Sequence, residues 1–138
     1  MKTSHKAILR LCVASLAAFS LAGCDQIPSL DASDKAANKA ACESVGQTWE
    51  TLNKALSSGD IAALPTGFIN IPSQLDAVLN QATDKQLTEA VAELKKNAQY
   101  VVDGNQPDVA GFIASGVGIS ARCAILGASV NLELPQLP

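Results

Sequence analysis

The chain has 138 residues, of which 17% are charged, with ten Lys or Arg, thirteen Asp or Glu and a net charge of −3. This length suits a single domain, and the acidic balance excludes the basic footprint that nucleic-acid binding requires. The one histidine, His5, lies in a segment that we expect to be cleaved, which excludes histidine-based nucleophile activation and imidazole metal sites.

Residues 1–23 have the three-part layout of a secretory signal. Residues 1–10 carry three basic residues and no acid, residues 11–21 are uncharged and mostly apolar, and small residues follow. A helix needs ~20 apolar residues to span a bilayer, and this run is about half as long. We therefore interpret it as a cleaved export signal, with an uncut signal anchor as the alternative.

The signal ends in Leu21-Ala22-Gly23-Cys24. This tetrapeptide resembles the lipobox of bacterial lipoproteins at all four positions, although the resemblance covers only residues 1–24. It implies that Cys24 is acylated on its sulfur, that cleavage occurs before it, and that palmitate-type chains hold the protein at the extracytoplasmic side of a bacterial cell membrane. It does not distinguish the inner from the outer membrane. Several acyl chains on one residue hold firmly, whereas one chain holds only marginally.

Two cysteines remain after cleavage and lipidation. Cys12 leaves with the signal and Cys24 carries lipid, so Cys42 and Cys123 are the pair left in an exported domain. Such a pair favours a disulfide outside the cytoplasm. Two free, buried thiols that act as small apolar fillers are the alternative.

The mature chain begins with a predicted tether and a long helix. Residues 24–33 are short, polar and contain Pro28, which suits a lipidated tether. Residues 34–58 are predicted to form a helix that Gly59 ends. Its apolar stripe, at helical spacing, comprises Ala41, Cys42, Val45, Trp49, Leu52 and Leu56.

A loop and two further helices follow. Residues 59–72 are expected to form a loop with a single turn near residues 60–64, either capping the bundle or acting as a mobile lid. Residues 73–81 are predicted to form a short helix with Ser73 as its N-cap. Residues 84–103 are predicted to form a third helix, started by a capping box of Thr83 and Gln86. Glu89 and Glu93 lie on its exposed face, where lysines and water are expected to surround them.

The last predicted helix, residues 108–126, is apolar or small on nearly every side. A helix of this kind is a buried central helix or a membrane segment, and we favour burial. Gly111, Ser115 and Gly118 lie about a turn apart and form a small-residue groove that admits another backbone. With Phe112 beside it, this groove is a candidate site for an apolar ligand.

Arg122 is the only arginine of the mature chain. An ion pair with Glu43 or Glu50 of the first helix is the favoured interpretation, because an unpaired buried guanidinium is costly. A ligand anchor for a carboxylate or phosphate is the alternative. Residues 116–121 match G-x-G-x-x-A, but the β-α-β unit and the later acid of a dinucleotide site are missing.

These elements predict an all-α fold, a small antiparallel four-helix bundle over residues 34–128 whose first and last helices are joined by a disulfide. Residues 129–138 are predicted to be an extended tail lying on the bundle. We expect no enzyme activity, cofactor or metal. We expect a membrane-anchored lipoprotein that binds protein partners in the cell envelope, with a binding module for an apolar small molecule or lipid as the alternative. The partner, the ligand and the oligomeric state are not determined by the sequence.

Overall fold

The computed structural model describes residues 31–133, and the described part is all-helical. The signal, Cys24 and most of the tether lie outside the described residues. Residues 31–133 form five α-helices: α1 at Ala32–Ser57, α2 at Leu64–Phe68, α3 at Ile71–Gln81, α4 at Lys85–Val102 and α5 at Val109–Ile125. The four longer ones are the four predicted helices, which confirms the predicted bundle.

The segment between α1 and α3 is more ordered than expected. The Asp60 carboxylate accepts hydrogen bonds from the backbone N–H groups of Ala62 and Ala63 and starts a 3₁₀ turn at Ile61–Ala63. The five-residue helix α2 follows, with a proline in its first turn, where the ring is well tolerated. Phe68 ends α2 fully buried, so this segment packs as part of the bundle.

Two helix N-caps differ from the predictions. α3 begins at Ile71 with Asn70 at the N-cap position, two residues before the predicted Ser73, because Pro72 fits the first turn of a helix. The N-cap of α4 is Asp84 and not Thr83, since the Asp84 carboxylate accepts from the backbone N–H of Leu87 at 2.8 Å.

The long helices run antiparallel to their neighbours. Asn38 near the start of α1 contacts Thr83 just after α3, and Cys42 is bonded to Cys123 near the end of α5. The core between the helices is aliphatic and aromatic, with Trp49, Phe68 and Phe112 as its largest side chains. Within the described part, no helix has the length and apolar character needed to cross a membrane.

The prediction that α5 is a buried central helix is wrong. α5 buries only one face, chiefly against α4, and its other face is exposed. The physical reason is geometric, because in a two-layer bundle of four helices each helix has two neighbours and keeps an outward side.

The tail follows the bundle surface as far as it is described. Leu132 and Ala128 are buried, and the Glu133 carbonyl accepts hydrogen bonds from Trp49 Nε1 at 3.1 Å and Asn53 Nδ2 at 2.9 Å. The Ser120 hydroxyl donates to the Val130 carbonyl at 3.1 Å. These hydrogen bonds connect the tail to both α1 and α5.

Candidate functional site

The predicted disulfide is present and joins α1 to α5. The Cys42 and Cys123 Cα atoms are 5.8 Å apart and both residues are fully buried. The loop that it closes has a sequence separation of 81 residues. In the chain-entropy model a loop of this size stabilises the folded state by about 4.5 kcal/mol.

Arg122 pairs with Asp84 and not with Glu43 or Glu50. Its Nε donates to Asp84 Oδ1 at 2.8 Å and its Nη2 donates to Asp84 Oδ2 at 2.6 Å. The two acids proposed from the sequence are exposed on the outer face of α1. Asp84 was missed because a helix N-cap carries no apolar periodicity, although its place at the α4 start was visible.

Asn38 completes a buried polar network around this pair. Its Oδ1 accepts from the backbone N–H groups of Thr83 and Asp84, at 2.9 and 3.0 Å, and its Nδ2 donates to Thr83 Oγ1 at 3.0 Å. The network thus connects α1, the loop before α4, and α5. The burial of Asn38 was visible in the sequence, because Asn38 lies one turn before Cys42 in line with the apolar stripe of α1.

The ion pair perturbs the ionisation of both partners. Hydrogen bonds from Arg122 hold the pKa of Asp84 below its usual value, against the opposing effect of burial, and the Leu87 N–H adds to the lowering. The hydrogen bond with Asp84 likewise raises the pKa of Arg122. Arg122 is therefore occupied by a protein carboxylate rather than held ready for an anionic ligand.

The five candidate ligand residues on α5 do not form one site. Phe112 is buried and packs edge-to-face on Phe68, with ring centroids 5.8 Å apart. Gly111 and Ser115 line a groove open to solvent on the α4 side, whereas Gly118 is exposed and does not line it. A Cβ on Gly118 would lie 3.8 Å from the Ala90 Cβ of α4. The Ser115 hydroxyl is satisfied locally, since it donates to the Gly111 carbonyl at 2.9 Å.

Close packing of α5 occurs at Gly111, where a Cβ would lie 2.8 Å from Asn97 Nδ2 of α4, and at Gly116, which the groove prediction did not include. A Cβ on Gly116 would lie 2.8 Å from the indole Cη2 of Trp49. Gly116 therefore lets α5 approach α1 at this point. Because residues 116–121 are in the middle of a helix, the G-x-G-x-x-A match is not a phosphate-binding turn.

The exposed acids of α4 are paired with lysines of the same helix. Glu89 Oε1 lies 3.8 Å from Lys85 Nζ, and Glu93 Oε2 lies 3.7 Å from Lys96 Nζ, with all four side chains largely exposed. This agrees with the predicted solvated face. Among residues 31–133, no group of three His, Cys, Asp or Glu side chains is placed to hold a metal ion.

The outward side of α5 is an aliphatic surface, which we call the α5 face. It comprises Val109, Ile113, Val117, Ala121 and Ile125, which are spaced four residues apart and are all exposed. Val117 is 65% exposed and Ile125 is 57% exposed. Four of the seven large hydrophobic side chains exposed in the described part belong to this face. Compared with known proteins, the chain matches no family model, no curated protein and no solved structure.

Proposed function

We propose that this protein is a lipid-anchored, extracytoplasmic bundle without enzymatic activity that binds a protein partner through the α5 face. The α5 face carries the proposal. No charged residue lies between Asp108 and Arg122, so covering the outward side of α5 removes no charged group of this segment from water. Large apolar patches rimmed by polar residues are typical of protein-interaction surfaces.

The size of the face sets the expected strength of binding. The exposed parts of Val109, Ile113, Val117 and Ile125 together amount to about two whole aliphatic side chains, so covering them contributes roughly 3–6 kcal/mol. Association itself costs a comparable amount or more. The face therefore suits a partner that is already confined to the same membrane.

The anchor rests on the lipobox-type sequence before Cys24. Seven residues lie between Cys24 and Ala32, the first residue of α1, and the eight Cα-to-Cα steps that join them reach at most ~29 Å. The domain would then work close to the membrane surface. Labelled palmitate should join the wild-type chain and fail to join a Cys24→Ser variant, which should leave the membrane fraction. Equal labelling or equal fractionation would contradict the anchor.

The partner is tested on the α5 face itself. In mild detergent, the wild-type chain should migrate in a protein complex that Val117→Glu disrupts, because an unpaired carboxylate would be buried in the interface. Gln47→Glu, on the exposed side of α1, is the matched control and should leave the complex intact. A wild-type chain that migrates alone, or a complex that survives Val117→Glu, would contradict the proposal.

An apolar ligand remains the alternative prediction. Phe112 and Arg122 are engaged within the fold, and the groove at Gly111 and Ser115 is open to solvent. Apolar ligands bind in sites that bury most of their surface.

A further inference from the structure

We infer that the groove between α1 and α5, which residues 128–133 fill, is a binding site for an extended apolar segment of a protein partner that enters when these residues leave. We call residues 128–133 the strap. The side chains that hold the strap belong to α1 and α5 but not to the α5 face, so this site requires neither that face nor the lipid anchor. The strap shows which kind of segment fits.

Burial alternates along the strap. Ala128 and Leu132 are buried and Val130 between them is half-buried, whereas the three residues that alternate with them are exposed. Side chains of an extended chain point to opposite sides in turn, so one side of the strap faces the bundle. The groove therefore accepts a small, a β-branched and a leucine side chain at every second position of an extended segment.

The groove holds the strap by its carbonyl groups. The Ser120 hydroxyl of α5 donates to the Val130 carbonyl at 3.1 Å. From α1, Trp49 Nε1 and Asn53 Nδ2 donate to the Glu133 carbonyl at 3.1 and 2.9 Å. Because every residue has a carbonyl, these donors can bind a backbone of any sequence. Protein domains that bind extended peptides use this combination of main-chain hydrogen bonds and pockets for alternate side chains.

The strap leaves one polar atom of this groove unpaired. Asn53 Oδ1 is buried and accepts no hydrogen bond from the part of the chain that the structure describes, although Nδ2 of the same amide binds the Glu133 carbonyl. A buried acceptor without a donor is costly. An extended residue can offer its N–H and its C=O to one partner, and an Asn amide has the matching acceptor and donor. A segment that presents both groups to Asn53 would bind more completely than the strap does.

The strap is sparsely attached beyond its first residue. The Ala128 N–H donates to the Cys123 carbonyl at 2.8 Å, but the N–H groups of residues 129–133 donate to no other residue within 31–133. Segments with few buried contacts and few paired backbone groups open at low free-energy cost. The Cys42–Cys123 bond keeps α1 and α5 joined when they do. The groove can therefore be vacated without unfolding the bundle.

The test supplies the strap as a separate peptide to the oxidised, full-length chain in mild detergent. Leu132→Asp weakens the chain's own strap by placing a carboxylate in the leucine pocket, and it changes neither α1 nor α5. A fluorescent peptide with the sequence of residues 127–133 should bind this variant about tenfold more tightly than it binds wild type, whose strap competes for the groove. Fluorescence anisotropy measures the binding. If Leu132→Asp loses its helical circular dichroism, the milder Leu132→Ser takes its place.

Two substitutions on α1 locate the bound peptide. A Cβ on Gly46 would lie 3.2 Å from Val130 Cγ1, so Gly46→Leu fills the space that Val130 occupies. Added to the Leu132→Asp chain, it should weaken peptide binding by about tenfold. Gln47→Leu, on the exposed side of α1, is the matched control and should leave binding unchanged. Equal effects of the two substitutions would contradict binding in the groove.

The peptide itself tests whether the groove suits a partner. Lysine at the two exposed positions, Ser129 and Asn131, should leave binding unchanged, whereas aspartate at Leu132 should abolish it. A peptide that loses binding with either lysine would mean that the groove fits only this chain's own tail, and the inference would be overturned. Failure of the unaltered peptide to bind the Leu132→Asp chain would overturn it as well.

Hydrogen exchange of the wild-type chain gives a readout that needs no variant. The amides of residues 129–133 should exchange far faster than those in the middle of α1. Exchange as slow as in α1 would make the strap a permanent part of the fold and exclude a partner segment. The complex that Val117→Glu is expected to disrupt does not depend on any of these results, so the two proposals fail separately.

Discussion

The contact between Asp84 and Arg122 provides the sharpest test of how this bundle is held together. Asp84 Oδ1 caps α4 by accepting from the Leu87 N–H. The two carboxylate oxygens of Asp84 also accept from Nε and Nη2 of Arg122. The Asp84 side chain is 8% exposed and that of Arg122 is 21% exposed. Replacing Asp84 by alanine thus removes a helix cap and leaves a largely buried guanidinium without its acceptor.

The expected magnitude follows from these two losses. Loss of an N-cap costs about 1 kcal/mol. Removing one partner of a fully buried ion pair costs about 3–5 kcal/mol, and the lower half of that range applies because Arg122 keeps some access to water. Together the two losses mean that Asp84→Ala should lower the free energy of unfolding by about 4–5 kcal/mol. Asp84→Asn keeps the shape and the cap and loses only the charge, so about 2 kcal/mol is expected.

The assay is urea unfolding of a soluble chain of residues 25–138, oxidised, followed by fluorescence. Trp49 is the only tryptophan and is buried in the core. With a slope of about 1.5 kcal/mol per molar urea, a loss of about 4.5 kcal/mol moves the midpoint by roughly 3 M. A double-mutant cycle of Asp84→Asn with Arg122→Met should give a coupling free energy of about 2 kcal/mol.

The pH dependence separates the charge from the cap. The folded-state pKa of Asp84 is lowered, so the ion pair contributes fully above the unfolded pKa of about 3.9 and its contribution is lost as the pH falls through the folded value. The difference in unfolding free energy between wild type and Asp84→Asn should be constant from about pH 5 to 8 and shrink below about pH 4. A coupling free energy under about 0.5 kcal/mol, or a difference that persists unchanged in acid, would refute this reasoning.

Two further predictions concern how α5 is attached. Replacing Cys42 and Cys123 together by serine should lower the free energy of unfolding by about 4.5 kcal/mol. The urea midpoint should fall to a value that the wild-type chain reaches only under reductant. An unchanged midpoint would contradict a stabilising disulfide. Gly116→Ala should destabilise by ~1 kcal/mol, because its methyl group would press on the Trp49 indole and the overpacking outweighs the gain in helix propensity. Gly118→Ala is the matched control and should stabilise by up to about 1 kcal/mol, since its Cβ has room; equal effects at the two glycines would contradict the packing described here.

The four long helices could be predicted from the sequence because the spacing of apolar residues is a local feature. The disulfide could be predicted because the cysteines could be counted. A stripe such as Val91, Leu94 and Ala98 repeats with the period of a helix, whatever its neighbours are. Cys42 and Cys123 followed from counting, because the predicted signal accounts for Cys12 and the predicted lipidation accounts for Cys24. The acylation of Cys24, the location and the function remain predictions.

Only the tertiary structure decided the contacts between the helices. Arg122 of α5 binds Asp84 at the start of the neighbouring helix α4, whereas the acids of α1 that the sequence offered as partners are exposed. The side of α5 that is left uncovered, and the contact of Gly116 with Trp49, likewise depend on which helices are neighbours. The reason is that periodicity sets which face of a helix is apolar, whereas an α5 apolar on nearly every side carries no signal for which face the bundle covers.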